Sequence, residues 1–140
     1  MSKIIPLSQI NQYPARHIKR YRQEVVASGV LIKDGKVLLI RRGKKDFNPG
    51  AWGLPCGGVE PLETPICAAV REFWEETGIR IKAERLLTVE NYFYDQGSRR
   101  THVIEFIYKV KPFAKRIEII LSREHDEYRF VSLSELNDYH

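Results

Sequence analysis

The chain has 140 residues, of which 43% are hydrophobic and 29% charged, and this profile fits one globular domain and excludes a multidomain, fibrous or disordered protein. Its net charge of +5 is uneven, because residues 1–56 hold eleven Lys or Arg and three Asp or Glu, whereas residues 57–79 hold one Arg and five Glu. No apolar run approaches the roughly 20 residues that a membrane span needs, and two cysteines are too few for a disulfide framework. We therefore expect a cytoplasmic protein with no membrane partner.

The N-terminal part of the chain divides into a basic arm and two strands. Residues 1–22 predict an irregular arm or a short helix interrupted by two prolines, and we place the domain itself at residues 23–140. The basic residues of the arm either attract phosphate groups or form a solvated surface without a specific role. The first predicted strands are Glu24–Lys33 and Lys36–Arg42, joined by a hairpin turn at Asp34-Gly35.

The clearest helix signal covers Pro65–Thr77. Thr64 is a suitable N-cap, Pro65 is tolerated at the first helical position, and Gly78 is a favourable C-terminal stop. The elements predicted after this helix are strands over residues 79–94, 101–110 and 128–131 and a short helix that begins at Ser132. Strands on both sides of a helix predict an α+β domain in which helices pack on a mixed sheet.

Three carboxylates share one face of the predicted helix. At about 100° per residue, Glu72, Glu75 and Glu76 fall within an arc of about 100°. The apolar stripe on another face comprises Ile66, Val70, Phe73 and Thr77. Like charges one turn apart destabilise a helix, whereas clustered carboxylate oxygens suit Mg²⁺. The face therefore predicts either a metal site or a solvated acidic surface, and the glycine-containing turn at residues 56–60 could add a backbone carbonyl as a further ligand.

The spacing of these residues resembles the signature of a known family. Gly57, five residues, Glu63, seven residues and then Arg71-Glu72-Phe73-Trp74-Glu75-Glu76-Thr77-Gly78-Ile79 fill every fixed position of a Nudix box. The segments Trp52–Pro55 and Tyr128–Leu133 also resemble Nudix hydrolases, so the resemblance covers about residues 23–136. It implies an α/β/α sandwich with a central mixed β-sheet and a catalytic loop–helix–loop.

The resemblance also implies a set of catalytic and metal-binding residues. Glu72, Glu75, Glu76 and the Cys56 carbonyl would bind Mg²⁺ or Mn²⁺, and Arg71 would orient a glutamate. The chain departs from the family pattern at Cys56 and Leu62, where Gly is common. Family members draw the general base either from the box or from a late loop. In this chain the late-loop candidates are Glu124, which we favour, and the alternatives Glu127 and Glu118.

The substrate is less sharply indicated than the chemistry. Tyr94 lies near the place of a tyrosine in dinucleoside-polyphosphate hydrolases, and Arg99 and Arg100 could clamp outer phosphates or stay solvated. We expect hydrolysis of a diphosphate bond in a nucleoside diphosphate linked to another group, with a nucleoside triphosphate or dinucleoside polyphosphate as first candidates. The alternatives are removal of pyrophosphate from an RNA 5′ end and a non-catalytic nucleotide sensor. A second copy of the chain, forming a homodimer, is a further candidate partner.

Overall fold

The fold is a curled mixed sheet with one α-helix, as seen in a computed structural model that describes residues 3–5 and 17–139. Runs of β-branched and aromatic residues form the long strands, as their propensity favours. The strands are β1 (Lys3–Ile5), β2 (Arg20–Lys33), β3 (Lys36–Arg42), β4 (Trp52–Gly53), β5 (Cys56–Gly58), β6 (Ile81–Gln96), β7 (Arg99–Pro112) and β8 (His125–Ser132). The helices are α1 (Pro65–Thr77) and a 3₁₀ helix (Leu133–Asp138).

Strand β2 is the centre of the sheet. It pairs in parallel with β7 over twelve positions, from Arg20 opposite Arg99 to Leu31 opposite Val110. All other pairings are antiparallel, in the order β1-β6-β7-β2-β3-β4, with β5 added to β2 and β8 added to β3. This arrangement confirms the predicted mixed sheet and places β5 beside α1.

Helix α1 begins and ends where its capping residues predict. The Thr64 hydroxyl accepts a hydrogen bond from the Cys67 N–H (3.3 Å), and Gly78 adopts a left-handed φ of 72° as its N–H donates to the Trp74 carbonyl. The apolar stripe was predicted less well, since Ile66 is 43% exposed. The buried residues of α1 are Ala68, Ala69, Phe73, Glu76 and Thr77.

Apolar side chains cover both faces of the sheet. On one face Phe73 of α1 packs against residues that include Leu31, Leu38 and Val110. On the other face Leu136 of the 3₁₀ helix packs on a smaller cluster that includes Val131. The sheet is therefore layered between helices, as predicted, and the second helical layer is a short 3₁₀ segment. No helix within residues 3–5 and 17–139 is long and apolar enough to cross a membrane.

The predicted N-terminal arm is longer than the structure allows. Residues 20–22 belong to β2, because they pair with residues 99–101 of β7, and residues 3–5 form β1 against β6. The charge density of the segment concealed this pairing, since a strand that alternates Arg and polar residues reads as a solvated surface. The remainder of the predicted arm includes residues 6–16, which lie outside the described residues.

Candidate active site

The register of β5 turns the backbone of Cys56 toward α1. The Gly29 N–H donates to the Pro55 carbonyl (3.1 Å), so the next residue on β5 directs its N–H and carbonyl away from β2. The Cys56 N–H accordingly donates to Glu76 Oε2 (2.8 Å). The Cys56 carbonyl is therefore available at the edge of the sheet that faces α1, where the sequence places a metal ligand.

Arg71 organises the acidic face of α1. Its guanidinium donates two hydrogen bonds to the Glu63 carboxylate (2.8 and 2.9 Å), one to Glu72 (2.5 Å), one to Glu75 (3.3 Å) and one to the Gly58 carbonyl (3.0 Å). The hydrogen bonds from Arg71 hold the pKa of Glu63 down at about 2, with a smaller contribution from the Glu60 N–H. Arg71 thus ties the loop to the helix and orients two of the predicted ligands.

Gly57 permits the close approach of loop and helix. A Cβ atom at this position would overlap the carboxylate of Glu72. The first fixed glycine of the sequence signature is therefore required sterically, because a larger residue would displace a predicted metal ligand.

Leu62 adopts a backbone conformation that glycine would favour. Its φ is 66°, in the left-handed region, and its side chain is fully exposed. The loop therefore keeps its shape despite this departure from the family pattern, at a local conformational cost.

Burial and neighbouring negative charges raise the proton affinity of Glu72 and Glu76. Burial raises the pKa of Glu76 to about 8, and the charges of Glu72 and Glu124 add to this effect. Burial also raises the pKa of Glu72, while Arg71 opposes the shift. His125, whose pKa is lowered by burial and by a nearby arginine, places Nε2 3.8 Å from Glu76 Oε1. Negative charge here is unfavourable without a compensating cation.

Only one of the three late-loop glutamates reaches this site. Glu124 lines the same cleft as Glu72, Glu75 and Glu76. Glu127 instead forms ion pairs with Arg41 (2.9 Å) and Arg129 (2.7 Å), and Glu118 lies beside a separate surface depression. The placement of Glu124 supports its candidacy as the general base.

Of the two predicted phosphate-binding arginines, Arg99 lies on the opposite wall of the cleft and Arg100 does not. Tyr94 and Arg99 line the cleft. Arg100 projects from the other face of β7, where it is buried and donates two hydrogen bonds to the Asp95 carboxylate (2.8 and 3.0 Å). Successive residues of a strand alternate faces, so the prediction that both arginines contact substrate needs this correction: Arg100 has a structural role.

Several residues of the cleft were not predicted from the sequence, among them Arg42 and Phe47. Phe47 stacks on Tyr94 with ring centroids 6.0 Å apart, and the Arg42 guanidinium lies 4.8 Å from the centre of the Phe47 ring. Arg42 is fixed by an ion pair with Asp46 (3.1 Å). Phe47 gives no periodic signal because it lies in a loop, but an aromatic residue beside a turn sequence was a usable hint.

A second, more apolar pocket of about 330 Å³ adjoins the acidic cleft of about 600 Å³. The two cavities share Arg42, Phe47, Cys56, Tyr92 and Tyr94 as lining residues. Further apolar lining residues of the second pocket are Ile40, Ala51, Trp52, Leu54 and Ile107. A charged cleft that opens into an aromatic pocket suits a ligand with a polyanionic part and a flat apolar part.

The donors of the acidic cleft are suited to a hard divalent cation. Glu72, Glu75, Glu76 and the Cys56 carbonyl offer only oxygen ligands, as Mg²⁺ and Mn²⁺ prefer. In the described part of the chain no three His, Cys, Asp or Glu side chains converge enough to enclose an ion as they stand. Arg71 and the Cys56 N–H occupy several of these carboxylate oxygens instead.

Comparison with known proteins identifies the class that this fold and site define. The NUDIX domain model matches residues 22–140, and the chain therefore belongs to the Nudix family. Among solved structures, the MutT protein from Methanosarcina mazei Go1 is similar, with a TM-score of 0.74 and 27% identity over 87% of this chain and 86% of that one. The resemblance seen in the sequence is thus confirmed.

Curated relatives in the family carry different activities in their names. An ADP-ribose pyrophosphatase from Methanocaldococcus jannaschii is 40% identical over 97 residues, which cover 66% of this chain and 56% of the relative. An RNA pyrophosphohydrolase from Roseobacter denitrificans is 45% identical over 51 residues, 36% of this chain and 32% of the relative. The chain spans about half the length, or less, of these curated relatives.

Proposed function

We propose that the chain is a Mg²⁺- or Mn²⁺-dependent hydrolase of phosphoanhydride bonds, with a nucleoside diphosphate linked to another group as its substrate. A nucleoside triphosphate or a dinucleoside polyphosphate is the first candidate. The observation that carries this proposal is the single cleft that joins the acidic face of α1 to Arg99, Arg42 and an aromatic pocket. The names of the pyrophosphatase relatives support the reaction class.

Each residue of the acidic cleft has a role in this proposal. Glu72, Glu75, Glu76 and the Cys56 carbonyl would hold the cation, which neutralises pyrophosphate charge and acidifies bound water. Arg71 is a positioning residue, since it holds Glu72 and Glu75 through the contacts described above. Glu124 would accept the proton of the attacking water, because it is the late-loop carboxylate in the cleft.

The far wall would bind the rest of the substrate. Arg99 and Arg42 supply positive charge for phosphate groups not held at the acidic face. Tyr94 and Phe47 offer stacked rings for a nucleobase. In this binding mode the scissile bond would lie near α1 and the base would lie in the apolar pocket.

A substrate panel tests the proposal. Nucleoside triphosphates, dinucleoside polyphosphates, ADP-ribose and nucleotide sugars are incubated with and without Mg²⁺, and the products are identified by chromatography and mass spectrometry. We expect metal-dependent release of a nucleoside monophosphate and loss of most turnover in Glu75→Gln. Glu84→Gln is the control, because Glu84 pairs with Lys109 and Lys111 away from both cavities. Full activity of Glu75→Gln would refute the assignment.

A second candidate, removal of pyrophosphate from an RNA 5′ end, is favoured by one further observation. Arg20 is the register partner of Arg99 in the parallel β2–β7 ladder and is exposed, so positive charge continues from the cleft along the sheet. If an RNA backbone follows this path, binding of a 5′-triphosphorylated RNA weakens steeply as salt increases. Binding that is insensitive to salt would exclude it, and binding of nucleotides without turnover would instead indicate a sensor.

A further inference from the structure

One carboxylate of the apolar pocket has no part in the proposed metal site. Glu105 lies in the middle of β7 and lines the pocket with Tyr92 and Ile107. The Ser28 hydroxyl donates a hydrogen bond to Glu105 Oε1. Within residues 3–5 and 17–139 no Lys, Arg or His pairs with this carboxylate. Because each carboxylate oxygen has about two lone-pair sites, Oε2 and the remaining site of Oε1 are still acceptors for a ligand.

The position of Glu105 is unfavourable for stability. In the antiparallel β6–β7 ladder, Glu90 stands directly opposite Glu105, and like charges in such a pair destabilise a sheet. A half-buried carboxylate among aromatic side chains also loses solvation, which one hydroxyl compensates only in part. Neither local pairing nor packing explains why a glutamate occupies this position. We therefore consider what ligand this carboxylate could bind.

The chemistry of the pocket restricts what the ligand can be. Phe47 and Tyr94 provide flat aromatic surfaces and Leu54 an apolar one, which together favour an aromatic ring. An ionised carboxylate only accepts hydrogen bonds. The complementary partner is a base edge with two neighbouring N–H donors, which guanine has at N1 and the 2-amino group. Adenine instead presents the acceptor N1 beside its single amino group and would repel the carboxylate.

We propose that Glu105 is a specificity-determining residue that accepts hydrogen bonds from the N1–H and 2-amino group of a guanine-type base packed against the aromatic side chains of this pocket. The inference rests on the proposed function, because it names the base of the nucleotide whose phosphates enter the acidic cleft. Ser28 is a positioning residue, since its hydroxyl fixes one carboxylate oxygen.

Matched substrates and variants test this assignment. The ratio kcat/KM is measured with Mg²⁺ for GTP, ITP, which lacks the 2-amino group, and ATP, in the parent chain, Glu105→Gln and the control Glu84→Gln. Loss of one hydrogen bond to a charged group lowers affinity by about 10-fold or more. We therefore expect kcat/KM for GTP to exceed that for ITP by this factor and that for ATP by a larger one. Glu105→Gln should narrow the GTP-to-ATP ratio by about 10- to 100-fold, whereas Glu84→Gln should leave it unchanged. Thermal melting confirms that each variant is folded.

The outcomes separate this inference from the proposed function. Metal-dependent hydrolysis with the same GTP-to-ATP ratio in Glu105→Gln overturns the role of Glu105 and leaves the hydrolase proposal intact. A GTP-to-dGTP ratio that changes in Glu105→Gln, with the GTP-to-ATP ratio constant, also overturns it, because the carboxylate then contacts ribose. Glu105-dependent binding of GDP over ADP, measured by calorimetry in a protein without turnover, supports the inference and refutes the hydrolase proposal.

Discussion

The two sides of the cleft are built in different ways. The near side, formed by the loop and helix of residues 56–78, is one continuous segment in which Arg71 contacts Gly58, Glu63, Glu72 and Glu75. The far wall is assembled from β6, β7 and the loop around Phe47, which only the sheet topology brings together. The comparison shows that the proposed metal ligands are encoded locally, whereas the general-base candidate Glu124 and the ligand-binding wall depend on long-range pairing.

The largest expected effect is on the near side, in Glu76→Gln. Loss of a metal ligand should lower kcat by at least the ~100-fold that loss of an outer-shell partner costs. Because burial favours the protonated form of Glu76, the neutral amide should leave the melting temperature unchanged or higher. Kinetics and thermal melting check both outcomes. A parallel loss of activity and stability would show that Glu76 is mainly structural.

Gly57→Ala tests whether the near side depends on close approach. The added methyl group overlaps the Glu72 carboxylate, and a displacement of about 1 Å at a catalytic group can cost roughly 100-fold in rate. Gly58→Ala is the matched control, since a Cβ there meets no atom within 4 Å. Equal kcat values in the two variants would contradict the steric explanation.

Phe47→Ala tests the far wall. Loss of stacking on a base should raise KM by about 10-fold while kcat changes little. Phe113→Ala serves as the control, because Phe113 is exposed and lines neither the cleft nor the apolar pocket. A fall in kcat with unchanged KM would mean that the far wall takes part in the chemical step. That result would contradict the assignment of chemistry to the near side and ligand binding to the far wall.

Leu62→Gly tests whether the near-side loop is strained at position 62. Glycine relieves the left-handed strain at φ 66°, although it adds freedom to the unfolded chain, and the net gain in free energy of unfolding should be roughly 1 kcal/mol. Chemical denaturation measures it, with kcat expected to remain unchanged. A loss of stability would show that the leucine side chain has a packing role.

The smallest expected effect concerns Asp95 and acid stability. Hydrogen bonds from Arg100, with a smaller contribution from His17, hold the pKa of Asp95 below its usual value against the opposing effect of burial. The stabilisation is therefore present above about pH 4 and is lost as the pH falls through the folded-state pKa. In Asp95→Asn this component of the pH dependence should disappear, and the free energy of unfolding above pH 4 should fall by about 1 kcal/mol because the buried Arg100 loses a charged acceptor. Urea unfolding between pH 3 and 7 measures it, and identical slopes in both proteins would contradict the assignment.

Features that depend on neighbouring residues were predicted from the sequence more accurately than features that depend on long-range strand pairing. Helix α1 was predicted with its observed bounds because Thr64, Pro65 and Gly78 are local signals. The placement of Arg100 was wrong because a pair of adjacent arginines does not reveal which one faces the cleft. Glu105 could not be found from the sequence, since its importance depends on Ser28, 77 positions away.

The parallel ladder between β2 and β7 bears on how the protein acquires its fold. Its partners, such as Arg20 and Arg99, are separated by most of the chain, and closing so long a loop is slower than forming hairpins or a helix. We expect α1 and the β6–β7 hairpin to form early and the central ladder to close last. During synthesis, the backbone hydrogen-bonding groups on one edge of β2 would therefore stay unpaired until β7 leaves the ribosome. We expect β2 to be the segment most prone to pair with the wrong strand during that time.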